Sequence, residues 1–201
     1  MKLSPVIAWL ARALAIVGGM VLVVITAVTV ISIIGRAAVT IAYMGSPEDA
    51  GAWQGLSSAA RWLVDLGAGP VTGDFELVEA GTGFAVFAFL PWCQLNRGHA
   101  TVDLFTSFLP DGANRIIDLV SELLMTLVIV LIAWRLWAGL MDKLRYAETT
   151  FILQFPVWWA FAACMAAAAV GVAVTFYMLF VRILEVRQGR ALLSPGQGSA
   201  H

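Results

Sequence analysis

Charge is scarce in this chain. Asp, Glu, Lys and Arg together make up 12% of its 201 residues, about half of the roughly 25% usual in soluble domains. A surface so poor in charge is not held in water over its whole area, so lipid must cover most of it. The charges that exist nearly cancel, 12 basic against 13 acidic for a net of −1, and leave no positive field to attract nucleic acid. Histidine is reduced to His99 and His201, too few to ligate two haems in pairs or to build a histidine-rich metal site. Cysteine is reduced to Cys93 and Cys164, far apart and each inside an apolar run, so neither a disulfide framework nor a CxxC redox pair is present. His99 and Asp103 stand at i,i+4, but no nucleophile or metal-ligand set accompanies them. No catalytic constellation and no internal repeat emerges, so an enzyme is not expected and no cofactor is assigned.

Apolar residues fill the space that charge leaves. The set AVILMFWYC reaches 61% and the mean hydropathy is +0.88. Ala13 to Gly35 is free of charge between Arg12 and Arg36, and as a helix extends roughly 34 Å, enough for a hydrocarbon core of about 30 Å. A cleavable signal peptide is the competing reading, but its apolar region would be about 7–15 residues; a retained first span is expected. The second run, Ala80 to Asn96, lies between Glu79 and Arg97, with Leu77 and Val78 extending it and Pro91 kinking it or marking its last turn. A third helix is expected from about Ala113 to Arg145. Its uncharged centre, Leu123 to Trp134, is short, so Glu122 and Arg135 are placed near opposite interfaces, with Trp134 and Trp137 as an aromatic belt; a buried ion pathway through the two is the alternative. The fourth run, Thr149 to Val181, exceeds one crossing. Pro156 divides it into an interfacial entry and a span beginning near the proline, with Trp158 and Trp159 anchoring that end. Ala163, Ala167 and Gly171 recur every four residues, a strip that admits a close neighbour within the bundle or in a partner.

The expected fold class is therefore an all-α integral membrane protein with four transmembrane helices plus short interfacial amphipathic helices. It forms one four-helix domain over 1–190, with spans near 13–35, 77–96, 117–138 and 156–181 and a flexible tail at 191–201. The long outer loop, 37–75, contains an amphipathic helix near 50–66. Trp53, Leu56, Ala60 and Leu63 line one side of it, and Arg61 and Asp65 pair at i,i+4 on the other. Gly67, Gly69, Pro70 and Gly73 break it. The loop is acidic, which fits a solvated face or a docking surface. Between the second and third spans, Phe105, Phe108 and Leu109 place a second short helix on the bilayer surface. Pro110-Asp111-Gly112 is read as a turn, and Arg115, Asp118 and Glu122 as a salt-bridged edge. Lys and Arg distribute seven to four in favour of the side holding both termini, which places the N- and C-termini in the cytoplasm.

These features occur in a recognisable order. GDFELVE followed by FLPWCQLNRGHATVDLFTSFLP resembles the small permease subunit of tripartite ATP-independent periplasmic (TRAP) transporters, the DctQ family, over most of the chain. Arg36 closes the first span, Glu76 and Glu79 open the second, and Gly98, His99, Val102 and Asp103 follow Arg97 in the family's glycine-histidine-x-x-valine-aspartate pattern. Leu109-Pro110 comes next, and Pro156-Val157-Trp158-Trp159 opens the fourth span. The resemblance implies a bacterial inner-membrane scaffold for a large permease, which carries the solute and sodium sites. A periplasmic solute-binding protein would deliver an organic acid to the pair. Arg36, Glu76, Glu79, Arg97, Gly98, His99, Asp103, Pro156, Trp158 and Trp159 become partner or structural motif residues. Arg36 and Arg97 lie where each can meet a lipid phosphate. Glu76 and Glu79 are either helix N-terminal charges or contacts for basic groups on the permease or binding protein. A membrane redox subunit is disfavoured by the missing cysteine pairs and histidines; an autonomous small carrier or channel is the remaining alternative.

Overall fold

The computed structural model describes residues 5–44, 52–67, 69–96 and 111–188; the side chains at 44, 52–54, 111–115 and 188 lie outside the description. The described chain is helical almost throughout: α1 (Pro5–Met44), α2 (Ala52–Asp65), α3 (Asp74–Leu95), α4 (Asp111–Tyr146) and α5 (Trp158–Gln188). Four of these are long and apolar enough to cross a membrane, over Pro5–Tyr43, Asp74–Leu95, Ile116–Tyr146 and Trp158–Arg187. Runs rich in Val and Ile, such as that in α1, are indifferent helix formers in water. In hydrocarbon the backbone has no solvent to bond, and the helix is the single-segment solution that satisfies it.

The helices outrun the apolar stretches that announce them. α1 continues well beyond Arg36, and α4 begins at Asp111. Asp111 and Gly112 therefore lie in the first turn of α4, not in a turn ahead of it. α5 begins at Trp158, two residues after Pro156. Pro156 still contributes, since its carbonyl accepts from Trp159 N at 3.1 Å and that of Val157 from Ala160 N at 3.1 Å. Pro91 lies inside the last turn of α3 without ending it.

Contacts sort the chain into two units. The first holds α1 to Met20, α3 from Gly83, α4 through Glu148, and the chain from Pro156 onward. Here α4 packs along α5. α4 buries Thr126, Ile129, Ala133 and Leu140, which follow the three–four spacing of one helical stripe. α5 buries Cys164, Ala167, Ala168, Val174, Thr175, Met178 and Val181. Ala167 and Gly171 of the expected small-residue strip are buried, but Ala163 is exposed and Cys164 takes its place. A strict four-residue repeat drifts around a helix of 3.6 residues per turn, so the contact line steps across by one residue. Small side chains set the spacing elsewhere in this unit. A Cβ on Gly18 would lie 2.8 Å from that of Ala88, and one on Gly139 would lie 2.9 Å from the Phe161 ring. In lipid such close approach, not hydrophobicity, drives helices together.

The second unit holds α1 from Val21, α2, the connection into α3, α3 through Thr82, and residues 149–155. α1 turns Ser32, Gly35, Ala38 and Ala42 inward. α2 is amphipathic and buries Ala60, leaving Leu56, Trp62 and Leu63 exposed. Arg61 Nε donates to the carbonyl of Ala42 at 3.1 Å, satisfying one of the orphan carbonyls at the end of α1. Gly67 follows α2 with φ +92°, and its N–H bonds the Val64 carbonyl at 2.9 Å. This is the left-handed residue that stops a helix.

Candidate functional site

The start of α3 gathers the polar chemistry of the second unit. Gly73, at φ +81°, offers its carbonyl to the N–H groups of Glu76 and Leu77 at 3.1 and 3.4 Å, so it stands at the N-cap. Asp74 follows, 6% exposed, with Oδ1 accepting from Phe75 N at 2.9 Å. Its Oδ2 is paired with Arg36 Nη2 from α1. The same nitrogen reaches Ser32 Oγ at 3.0 Å, and the Ser32 hydroxyl is turned to Asp74. A span-closing arginine and a helix-opening aspartate thus neutralise each other, while about half of the Arg36 side chain stays exposed. Gly35 makes this possible: the Gly69 carbonyl passes so near that a Cβ on Gly35 would lie 2.2 Å from its oxygen.

Glu76, 5% exposed, points into the connection between α4 and α5. Its two oxygens accept separately from Ile152 N at 2.8 Å and Leu153 N at 2.9 Å. Leu153 also packs against Gly73, whose hypothetical Cβ would lie 2.7 Å from Leu153 Cγ. The connection closes on itself as well. Thr150 N bonds the Phe155 carbonyl at 3.0 Å, Phe155 N bonds Thr150 Oγ1 at 3.3 Å, and Gln154 Nε2 bonds the Phe151 carbonyl at 2.7 Å. Those bonds hold Gln154 at φ +54°, where a non-glycine residue needs support. Glu79, one turn further along α3, is exposed. The two carboxylates that open the second span therefore divide: Glu76 is committed inside the chain, and Glu79 faces outward.

A second polar group lies in the first unit. Gln94 of α3 bonds the Glu122 carboxylate of α4. The side chain of Arg115, one member of the expected salt-bridged edge, lies outside the described residues; Asp118 Oδ2 pairs with Arg182 Nη1 of α5 at 3.0 Å, and the same Nη1 reaches Glu185 at 2.9 Å. Glu185 is 4% exposed. Arg135 is exposed, as are Trp134 and Trp137.

Arg97, Gly98, His99 and Asp103 lie outside the described residues, as does the surface helix expected at Phe105 to Leu109. Trp158 and Trp159 occupy the first turn of α5 with their rings edge to face at 6.1 Å, and Trp159 is 57% exposed. Among the described residues no three His, Cys, Asp or Glu side chains converge as a metal site. An apolar hollow lined by Phe87, Leu90, Ile129, Ile132, Ala168 and Gly171 has no charged group to hold an anionic solute.

Comparison with known proteins returns one family. The model of the DctQ component of tripartite ATP-independent periplasmic transporters matches residues 55–187, from within α2 to the end of α5. No curated protein and no solved structure matched the chain.

Proposed function

Because the chain belongs to the DctQ component family of tripartite ATP-independent periplasmic transporters, a family of transporter components and not of enzymes, we propose that it is the small membrane subunit of such a transporter. It holds a large permease at the correct depth while that partner moves an organic acid inward on a sodium gradient, the acid being delivered by a periplasmic binding protein. The observation that carries this reading is the family match, which takes in three of the four helices of spanning length. The chemistry of those helices supports it. An anion crossing a bilayer needs positive groups, helix N-termini or bound cations near the midplane. Arg182, largely buried where α5 meets α4, is already paired with Asp118 and Glu185 of this chain, and Arg36 carries Asp74 on its inner side; we assign solute chemistry to the partner.

Glu79 is the proposed contact for basic groups on the permease or binding protein, and the exposed part of Arg36 a contact for lipid phosphate. Arg97 is assigned the same lipid role, and Gly98, His99 and Asp103 a structural one. Reconstitution tests the whole. Proteoliposomes holding the chain with its large permease should take up a labelled organic acid only with the binding protein and an inward sodium gradient present. Glu79→Lys should slow that uptake while assembly persists, the deficit changing with ionic strength as for a rim charge. Solute flux through the chain alone would favour the autonomous carrier and overturn the proposal.

The proposed setting is the bacterial inner membrane with both termini cytoplasmic. Single cysteines at Trp53 and Arg145, in a chain lacking Cys93 and Cys164, should react with an impermeant thiol reagent from the periplasmic side, and those at His99 and Arg187 should not. Periplasmic labelling at His99→Cys would reverse the orientation.

A further inference from the structure

The connection between α4 and α5 displays side chains that water-facing loops hide. Phe151 is 94% exposed, more than any other large apolar residue described, and Ile152 and Leu153 beside it are 48% and 39% exposed. Much of the backbone that carries them is hydrogen-bonded within the chain. The N–H groups of Thr150, Ile152, Leu153 and Phe155 and the carbonyl of Phe151 all have partners within the chain. A loop in water has no need of this, because water supplies the same bonds; a loop entering a low-dielectric layer does. The carboxylate nearest in sequence, Glu148, pairs with Lys143.

Chain connectivity gives the location. The segment leaves the candidate span ending at Tyr146 and enters the one beginning at Trp158, so it stays at one membrane face. Tyr146, Trp158 and Trp159 border it in sequence, and Tyr and Trp gather where headgroups meet acyl chains. We propose that Phe151-Ile152-Leu153 is a preformed wedge that enters the lipid at this boundary, held rigid by the Glu76 carboxylate. Its occupant is the bilayer and not a protein pocket: the three most prominent side chains in a row are apolar and carry no charge for a partner to pair with, and the segment continues directly into two spans, with the exposed polar groups of Thr149 and Gln154 flanking it.

The test uses the full chain in phosphatidylcholine nanodiscs, with Cys93→Ser, Cys164→Ala and Phe151→Cys carrying an environment-sensitive fluorophore. A blue-shifted emission is expected, quenched by lipids bearing a nitroxide at the headgroup or upper acyl chain. The same label at Glu148→Cys should be less quenched. Adding Glu76→Ala to the Phe151→Cys chain should move its emission toward that of water and weaken quenching. If that variant does not fold, Glu76→Gln, which keeps one acceptor oxygen for two N–H groups, should give an intermediate value. Water-like, unquenched emission from the Phe151→Cys chain would overturn the wedge. So would a blue shift that appears only when the large permease or the binding protein is added, which would assign the surface to a protein. Unchanged quenching in both folded Glu76 variants would overturn the role of the clamp.

Discussion

Arg182→Leu is expected to lower the melting temperature of the chain in detergent by about 6–12 °C. The guanidinium ties α4 to α5 by meeting Asp118 and Glu185 through one nitrogen. Its side chain is 13% exposed and that of Glu185 5% exposed, whereas Asp118 is 48% exposed. Removing the cation leaves Glu185 in place without this counter-charge. Breaking a buried ion pair from one side costs about 3–5 kcal/mol. Asp118 can recover solvation, so the lower end applies, and about 2–4 °C per kcal/mol for a chain of this size gives the range. Arg182→Lys should retain most of the stability, because a single nitrogen makes both contacts. The double variant Arg182→Leu with Glu185→Leu should regain part of the loss, since replacing a buried pair by apolar residues is often near neutral. A fluorescence-detected melt identical to wild type for Arg182→Leu would show that the pair carries no stability.

Gly35→Ala is expected to be comparably damaging, with much of the folded, monodisperse protein lost in size-exclusion chromatography. The added Cβ would lie 2.2 Å from the Gly69 oxygen, 2.5 Å from its carbonyl carbon and 3.0 Å from Pro70 N. These are backbone atoms, so no rotamer relieves the collision and either α1 or the 69–70 strand of chain must shift. The next residue is Arg36, so the shift also strains its pair with Asp74. Overpacking that forces backbone shifts costs typically about 1–3 kcal/mol and occasionally more. Gly19→Ala is the control on the same helix. Nothing lies within 4 Å of its hypothetical Cβ, and alanine is the better helix former by about 1 kcal/mol. Equal yields for the two variants would refute the close approach at Gly35.

The sequence discloses what depends on neighbours along the chain. Uncharged runs reveal four spans, the alternation of Leu56, Ala60 and Leu63 with polar residues reveals α2, and the glycines after Leu66 reveal where it stops. Helix ends are less legible, because a helix already formed in lipid carries Arg36, Asp118 or Lys143 onward at little expense once their side chains reach an interface or a partner. Pairings over distance are not legible at all. Glu76 reads as a helix N-terminal charge until the N–H groups 76 and 77 positions downstream arrive at its oxygens. Arg36 and Asp74 each look solvated until α1 and α3 bring them together across 38 positions. The family pattern drew Glu76 and Glu79 together as one motif, yet one helical turn separates a residue turned inward from one turned outward.

The unequal lengths of the helices bear on which bilayers suit the chain. At 1.5 Å per residue, the 40, 36 and 31 residues of α1, α4 and α5 extend roughly 60, 54 and 46 Å. All three exceed a hydrocarbon core of about 30 Å, and each can take up a change in it by tilting. α3, with 22 residues, extends roughly 33 Å and has no such reserve. It begins with Asp74 and Glu76 and ends just past Gln94, so thickening the bilayer draws carboxylates or an amide into hydrocarbon, whereas thinning it only increases tilt. Hydrophobic mismatch is therefore one-sided here. The shortest helix sets an upper limit on membrane thickness, and acyl-chain length is a variable to which this protein is sensitive in one direction only.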